Sequence, residues 1–188
     1  MRPILYALLA VVLIGAGWVG FSVYRGSQNA AFGDPFALVD HNGKEITQAD
    51  FRAQPSAVFF GFTHCPEVCP TTLFELSGLL KELGDDGKNL RVFFVSVDPE
   101  RDTPQVLGQY VTSVSDRITG VTGPLEDVEK MLKSYKVYWR KQPTEDGYTM
   151  DHTASIYLLS KGGGFEGTIA YQENHDTALQ KLRRLANG

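Results

Sequence analysis

Two continuous, largely apolar runs dominate the hydrophobic pattern of the chain. They cover residues 56–62 (SAVFFGF) and 91–97 (RVFFVSV), and each ends at a polar loop. Runs of this kind are typical of strands that are buried on both faces. Leucines at helical spacing follow the first loop and predict a helix from about Pro70 to Leu83, and a second helix is expected from Thr103-Pro104 to about Ser113.

Shorter patterns surround these two strand-loop-helix units. Asn42-Gly43 separates the runs 36–40 and 45–47, and a stretch of glycines separates 155–159 from 165–171, so each pair predicts a β-hairpin. A short strand at 117–121 and helices at 125–135 and 176–185 complete the predicted elements. Their order predicts an α/β fold, a three-layer sandwich whose sheet is parallel in its first half and has an antiparallel edge. In such sheets ligands bind beyond the carboxyl ends of the central strands.

The N-terminal segment has a different pattern. No charged residue occurs from Ile4 to Tyr24, and this stretch is long enough to cross the hydrocarbon core of a bilayer as a helix. We therefore expect a transmembrane anchor at residues 1–25, a linker at 26–33 and a folded domain at 34–188. A cleaved signal peptide is the alternative, but its apolar region is usually shorter and ends at a small-x-small site, which residues 27–31 match poorly.

Charged residues beside the expected span predict its orientation. Arg2 and the terminal amine lie on the short side, which places the N-terminus inside and the domain outside, although Arg25 on the far side weakens this signal. No Arg-rich, Ser-rich presequence precedes the apolar run. The pattern therefore favours a single-pass protein of a bacterial inner membrane, with its domain facing the periplasm.

Outside the expected span the chain is acidic. When Arg2 and Arg25 are left out, 16 of the 18 basic residues remain, against 22 acidic ones. This balance disfavours nucleic-acid binding and docking on an anionic lipid surface. The partner is expected to be a protein or a small ion.

The chain has two cysteines, Cys65 and Cys69, and both lie in the motif GFTHCPEVCP. A disulfide between them would close a very small loop and add little stability, so chemistry explains the pair better than a structural role. The motif joins a strand to a helix, and Cys69 is expected at or next to the N-cap, with Pro70 as the first helical residue. Free N–H groups and the helix dipole lower the pKa of a thiol at such a place.

The residue types indicate which metal the cysteine loop would hold. Two thiolates four residues apart can converge on one ion, and soft sulfur ligands favour Cu(I) or zinc over hard cations. A structural zinc site needs four ligands, and the chain has no other cysteine. Copper suits a site with few ligands better.

Three motifs resemble the Sco/SenC copper chaperones for cytochrome c oxidase assembly: GFTHCPEVCP at 61–70, VSVDPERDTP at 95–104 and MDHTASIYLL at 150–159. The likeness extends from about Phe36 to the C-terminus, and one departure is Glu67, where the family often has aspartate. The resemblance implies a thioredoxin-like domain. It also implies that copper, as Cu(I) or Cu(II), binds to Cys65, Cys69 and His152. The client would be the CuA site in subunit II of the oxidase, with an upstream copper donor and a thiol reductant as further partners.

Other residues near the motifs have two interpretations each. His64 adjoins Cys65 and competes with His152 as the third ligand, but strand alternation points it outward. Asp151 would orient the His152 ring or would simply be an exposed acid. Asp98-Pro99 would dock a partner or would only end a strand. His41 and His175 look like turn and surface residues.

The main alternative function is a thiol-disulfide reductase, in which Cys65 or Cys69 attacks a client disulfide. Redox motifs of the thioredoxin type usually have two residues between the cysteines, whereas this motif has three. Asp151-His152-Thr153 also stands where thioredoxin-like redox proteins carry a proline. A peroxidase is disfavoured because neither cysteine has a threonine three residues upstream. We therefore expect a metallochaperone rather than an enzyme, with reductase activity as the open alternative.

Overall fold

The computed structural model describes residues 14–21 and 31–188. Residues 14–21 are helical (α1), and the chain divides into two compact units, Met1–Ala30 and Ala31–Gly188. No helix among the described residues is both long and apolar enough for a membrane crossing. Most of the expected anchor, residues 1–13 and 22–25, lies outside the described residues, as does the linker up to residue 30.

The second unit contains a seven-stranded sheet with the order β2-β1-β5-β4-β3-β8-β9. The three central strands β3, β4 and β5 are parallel, whereas β1, β2, β8 and β9 pair antiparallel. The predicted mixed sheet is confirmed. The strands are β1 (Ala37–Asp40), β2 (Glu45–Thr47), β3 (Ser56–Gly61), β4 (Arg91–Ser96), β5 (Ile118–Thr122), β8 (Ile156–Leu159) and β9 (Phe165–Ile169).

Helices cover both faces of this sheet, as the three-layer prediction requires. Successive residues of β4 show the two layers, because side chains alternate along a strand. Phe93 stacks on Phe51 of α2 at 4.1 Å between ring centroids, whereas Phe94 lies 5.5 Å from the ring of Tyr110 on α4. The helices are α2 (Gln48–Ala53), α3 (Val68–Leu83), α4 (Pro104–Val114), α5 (Leu125–Ser134) and α6 (His175–Asn187), with a short 3₁₀ helix at Gly84–Gly87.

Besides the short 3₁₀ helix, two elements of the fold were not predicted from the sequence. The first is α2, which has only six residues but begins with a capping box, formed by Thr47 and Asp50. The second is a separate hairpin of two strands, β6 (Trp139–Thr144) and β7 (Gly147–His152), which pair only with each other. This hairpin occupies the segment that the hydrophobic pattern leaves without structure, and its last residue is His152.

The N-terminal edge of the folded unit is held by an aromatic cluster. Phe32, which falls in the linker predicted from the sequence, lies 4.8 Å from the ring of Phe165 and 5.4 Å from that of Tyr135. Its amide also donates to the carbonyl of Gly163 at 2.7 Å. Residues 31–33 are therefore packed against the sheet.

Candidate metal centre

The cysteine loop connects β3 to α3 at the carboxyl end of the central strand. Cys65 is half-buried in this loop, and Cys69 is fully buried as the second residue of α3. The helix begins at Val68 with Glu67 as N-cap, so the prediction that Pro70 is the first helical residue is wrong by two positions. Proline fits at this third position because N–H groups of the first turn have no partner within the helix.

The structure brings together the three residues named as metal ligands. One ligand atom from each of Cys65, Cys69 and His152 lies within 4.8 Å of the other two, and both cysteines are free thiols. The Sγ atom of Cys69 lies 3.6 Å from Nε2 of His152. Among the residues that the structure describes, this is the one group of three or more cysteine, histidine or acidic side chains placed to hold a metal ion.

The His152 ring is held with Nε2 towards the sulfurs. Its Nδ1 lies 3.0 Å from the carbonyl oxygen of Thr153. A carbonyl only accepts, so Nδ1 donates to it and Nε2 is the nitrogen that faces the sulfurs, where it can bind a metal. The rings of Phe59 and Phe62 stand edge-on to the imidazole, at 6.2 and 5.7 Å between centroids, and confine its orientation.

The pKa values of the two thiols are shifted in opposite directions. The hydrogen bond from the Cys69 thiol lowers the pKa of Cys65 to about 4, and His152 and the amide of Cys69 act in the same direction, against partial burial. The Cys69 amide, at the start of α3, lies 3.4 Å from Sγ of Cys65. The same sulfur-sulfur contact and burial raise the pKa of Cys69. The prediction of a lowered pKa for Cys69 is wrong, because its thiol donates to Cys65 and is buried, while the amide at the helix start faces Cys65.

A glycine makes room for the buried sulfur. A Cβ atom on Gly61, the last residue of β3, would lie 2.8 Å from Sγ of Cys69 and 2.6 Å from the ring of Phe94. Both distances are shorter than any normal contact. Only glycine therefore lets the strand end pass this close to the site.

The other candidate residues lie away from the three ligands. His64 is exposed and its Nδ1 contacts its neighbour Thr63, as strand alternation predicts. His41 lies in the β1–β2 turn and its Nδ1 accepts from the amide of Gly120, and His175 pairs with Glu82 on the surface. Asp151 is exposed and accepts from Gln142, so the carbonyl of Thr153, not Asp151, orients the His152 ring.

The loop after β4 contains two buried carboxylates whose contacts were not predicted from the sequence. Asp98 and Asp102 are both buried, at 2% and 0% exposure. Asp98 lies two residues after the end of the strand, and it forms an ion pair with Arg101 and accepts from the hydroxyl of Tyr148. The only signal for this was the richness of the loop in charged residues, since the partner Tyr148 is distant in sequence.

Most of the chain is similar to the proteins of one family. The family model described as SCO1/SenC matches residues 25–187. The mitochondrial protein SCO2 of Saccharomyces cerevisiae is 36% identical over 164 residues, which cover 85% of this chain and 54% of the yeast protein. The chain thus spans about half the length of the curated relatives that it matches first.

Solved structures with copper bound are also similar to this chain. ScoI of Bradyrhizobium japonicum with copper bound is 44% identical and superposes with a TM-score of 0.76, over 82% of this chain and 99% of that one. Yeast Sco1 with copper bound is 31% identical, with a TM-score of 0.77 over 85% of this chain and 90% of that one. The thioredoxin-like fold implied by the sequence resemblance agrees with both.

Proposed function

The chain belongs to the SCO1/SenC family, and on that premise we propose that it is a copper metallochaperone whose cargo binds to Cys65, Cys69 and His152. The observation that carries the proposal is the convergence of two thiols and one imidazole nitrogen within 4.8 Å. Soft sulfur with imidazole is a ligand set that copper prefers over hard cations. The copper-bound relatives support the same choice of metal.

The site has the properties that a carrier of copper needs. Cys65 is partly accessible from solvent, whereas Cys69 is buried. A thiolate of a client protein can therefore approach the copper on the Cys65 side and replace the ligands one at a time. Each step exchanges one metal–ligand bond for another, so the oxidation state of the copper does not change.

We propose the copper-site subunit of cytochrome c oxidase, subunit II, as the client, and its CuA site as the destination. This follows from the resemblance of the three motifs to the oxidase-assembly chaperones. An upstream donor would load the site, and a thiol reductant would keep Cys65 and Cys69 reduced, since both must be thiolates to bind copper.

We also propose that the N-terminal apolar segment holds the domain at a bacterial inner membrane, on its periplasmic side. The uncharged stretch from Ile4 to Tyr24 supports this, because its length matches the hydrocarbon core. Membrane fractionation followed by protease treatment of spheroplasts tests it. Recovery of the intact chain in the soluble periplasmic fraction would contradict the anchor.

The function is tested by deleting the gene and measuring the copper content and activity of the oxidase. We expect both to fall, and to return with the parent protein or with His64→Ala, but not with His152→Ala. Added copper should restore them in part. Normal copper loading of the oxidase in the deletion strain would contradict the proposal.

A thiol-disulfide reductase is the second candidate, and the adjacency of two free thiols at a helix start favours it. The Cys65 thiolate would attack a client disulfide and form a mixed disulfide, and Cys69 would then displace the second client thiol. Two electrons pass to the client, and Cys65–Cys69 becomes a disulfide. Rescue of the deletion strain by a thiol reductant, but not by copper, would favour this function.

A further inference from the structure

The loop between β4 and α4 is bonded to the cysteine half of the site. The carboxylate of Asp102 accepts from the hydroxyl of Thr63 at 2.6 Å and from the amide of Thr63 at 3.2 Å. It also accepts from the hydroxyl of Ser96 at 2.6 Å. Thr63 lies two residues before Cys65, so Asp102 holds the start of the cysteine loop in place.

The same loop is bonded to the histidine half. Asp98 accepts from the hydroxyl of Tyr148 at 2.9 Å and pairs with Arg101. Arg101 donates to the carbonyl of Tyr148 at 3.0 Å, and its guanidinium lies 3.7 Å from the centre of the Tyr148 ring. Tyr148 is therefore held at its hydroxyl, its ring and its backbone.

Tyr148 is well placed to fix His152. Both residues belong to β7, four positions apart, so their side chains point to the same face of the strand. The hairpin has no ladder of hydrogen bonds with the main sheet. The other side-chain link from the hairpin to this loop, Lys141 with Glu100, is exposed and contributes little. The contacts of Tyr148 are thus the partly buried polar attachment of the hairpin to the loop.

We infer that Thr63 and Tyr148 are positioning residues, through which the segment Asp98–Asp102 sets the separation between the two thiols and the imidazole. Tyr148 holds the hairpin that carries His152, and Thr63 holds the loop that carries the two cysteines. The inference deepens the proposed function and rests on it where copper is concerned. Its geometric part concerns the metal-free protein and can be judged alone.

The first test measures amide hydrogen exchange on the full, metal-free chain in mild detergent. Tyr148→Phe removes the hydroxyl that Asp98 accepts and keeps the ring on Arg101. We expect exchange in residues 139–153 to quicken about tenfold, the effect of one lost hydrogen bond to a charged group. Tyr138→Phe is the matched control, because it removes an exposed hydroxyl just before the same hairpin, and it should change nothing.

Thr63→Val supplies the reciprocal result. It removes the hydroxyl bonded to Asp102 and keeps nearly the same side-chain shape. Exchange should quicken in residues 63–69 and stay at the parent rate in the hairpin. Unchanged exchange in the hairpin of Tyr148→Phe, or an equal increase in Tyr138→Phe, would overturn the inference.

The second test uses the copper-loaded chain. X-ray absorption of Tyr148→Phe should report a mean nitrogen number below that of the parent with the sulfur number kept, because His152 is bound in only part of the molecules. Copper affinity should fall about 10-fold, the lower end for loss of an outer-shell partner. Parent-like nitrogen number and affinity would overturn the positioning role. If the parent itself binds no copper, the proposed function fails, while the exchange measurements still decide whether Tyr148 and Thr63 hold their segments.

Discussion

Nε2 of His152 lies 3.6 Å from Sγ of Cys69, although 83 positions separate the two residues in the chain. The pairing of β8 with β3 explains this contact. The two strands are antiparallel and Ile156 pairs with Phe59, so the residues just before β8 arrive at the carboxyl end of β3, where the cysteine loop begins. The metal centre is therefore a product of sheet topology.

Replacing His152 and His64 in turn should show which of the two histidines is the third ligand. His152→Ala removes one of three ligand atoms, so copper affinity should fall by more than the ~10–100-fold expected for loss of an outer-shell partner. Competition with a chromophoric copper chelator measures this. His64→Ala is the control and should bind like the parent, since His64 is exposed and outside the group. The reverse pattern would show that His64 is the third ligand.

Gly61→Ala should disturb the site from within the sheet. The new methyl group would overlap Sγ of Cys69 and the Phe94 ring, so we expect a loss of about 1–3 kcal/mol in the free energy of unfolding and weaker copper binding. Denaturant titration and chelator competition measure the two effects.

Gly78→Ala is the matched control for the glycine substitution. Gly78 lies inside α3 and has open space where a Cβ would go. Alanine favours a helix interior, so this variant should gain up to about 1 kcal/mol and bind copper like the parent. A Gly61→Ala protein with parent stability and affinity would show that the close approach is unimportant.

Cys65 should react as a thiolate in mild acid. Its pKa in the folded, metal-free protein is about 4, against an ordinary value of 9.0, so alkylation by iodoacetamide should stay nearly constant from about pH 8 to pH 5 and decline towards pH 4. Mass spectrometry of the labelled peptides assigns the site.

The unfolded chain is the control for this reactivity. In denaturant both cysteines should react alike, with a rate that rises through the ordinary thiol range. In the folded protein Cys69 should react far more slowly, because it is buried and its pKa is raised. Faster labelling of Cys69 than of Cys65 would contradict the assignment of the two sulfurs.

Glu173 should make stability depend on pH. Partial burial raises its pKa, but Lys181 at 2.6 Å and the amide of Ala170 outweigh this and hold the pKa below the ordinary 4.5. A depressed carboxyl pKa stabilises the folded state above the ordinary value, and this contribution is lost as the pH falls through the folded value. Glu173→Gln should therefore unfold more easily than the parent at pH 7.

Chemical denaturation at several pH values tests this dependence. The difference between parent and Glu173→Gln should shrink as the pH falls from the ordinary carboxyl value of 4.5 through the lower value of the folded state, where the carboxyl of the parent becomes protonated. Glu166→Gln, at an exposed position on β9, should match the parent at every pH. A difference that persists in acid would mean that the amide disturbs packing rather than charge.

The elements of the fold that could be predicted are those that local patterns of apolar and polar residues indicate. The buried strands 56–61 and 91–96 are continuous apolar runs, and the helices that follow repeat leucine or valine at helical spacing. The place of the cysteine loop follows from these elements, because parallel strands present their carboxyl ends at one edge. The ligand set came from the family resemblance, and only the structure shows its geometry.

The parts that were missed depend on contacts distant in sequence. Strand β6 has the sequence WRKQPT, with no buried residue and a proline, so no alternation marks it. It is stabilised by pairing with β7. The lowered thiol pKa was likewise assigned to Cys69 instead of Cys65. The position of Cys69 in the helix does not show which side chain accepts a hydrogen bond from the amide of residue 69.

The separation of the β6–β7 hairpin from the main sheet has a practical result for anyone who handles this protein. A calorimetric melt reports mainly the seven-stranded sheet and its helices, whereas His152 lies on a small hairpin that shares no ladder with them and adds one buried side chain, Met150, to the core. A variant can therefore melt at the parent's temperature and still have a disrupted metal centre. Thermal screening alone would not detect this loss.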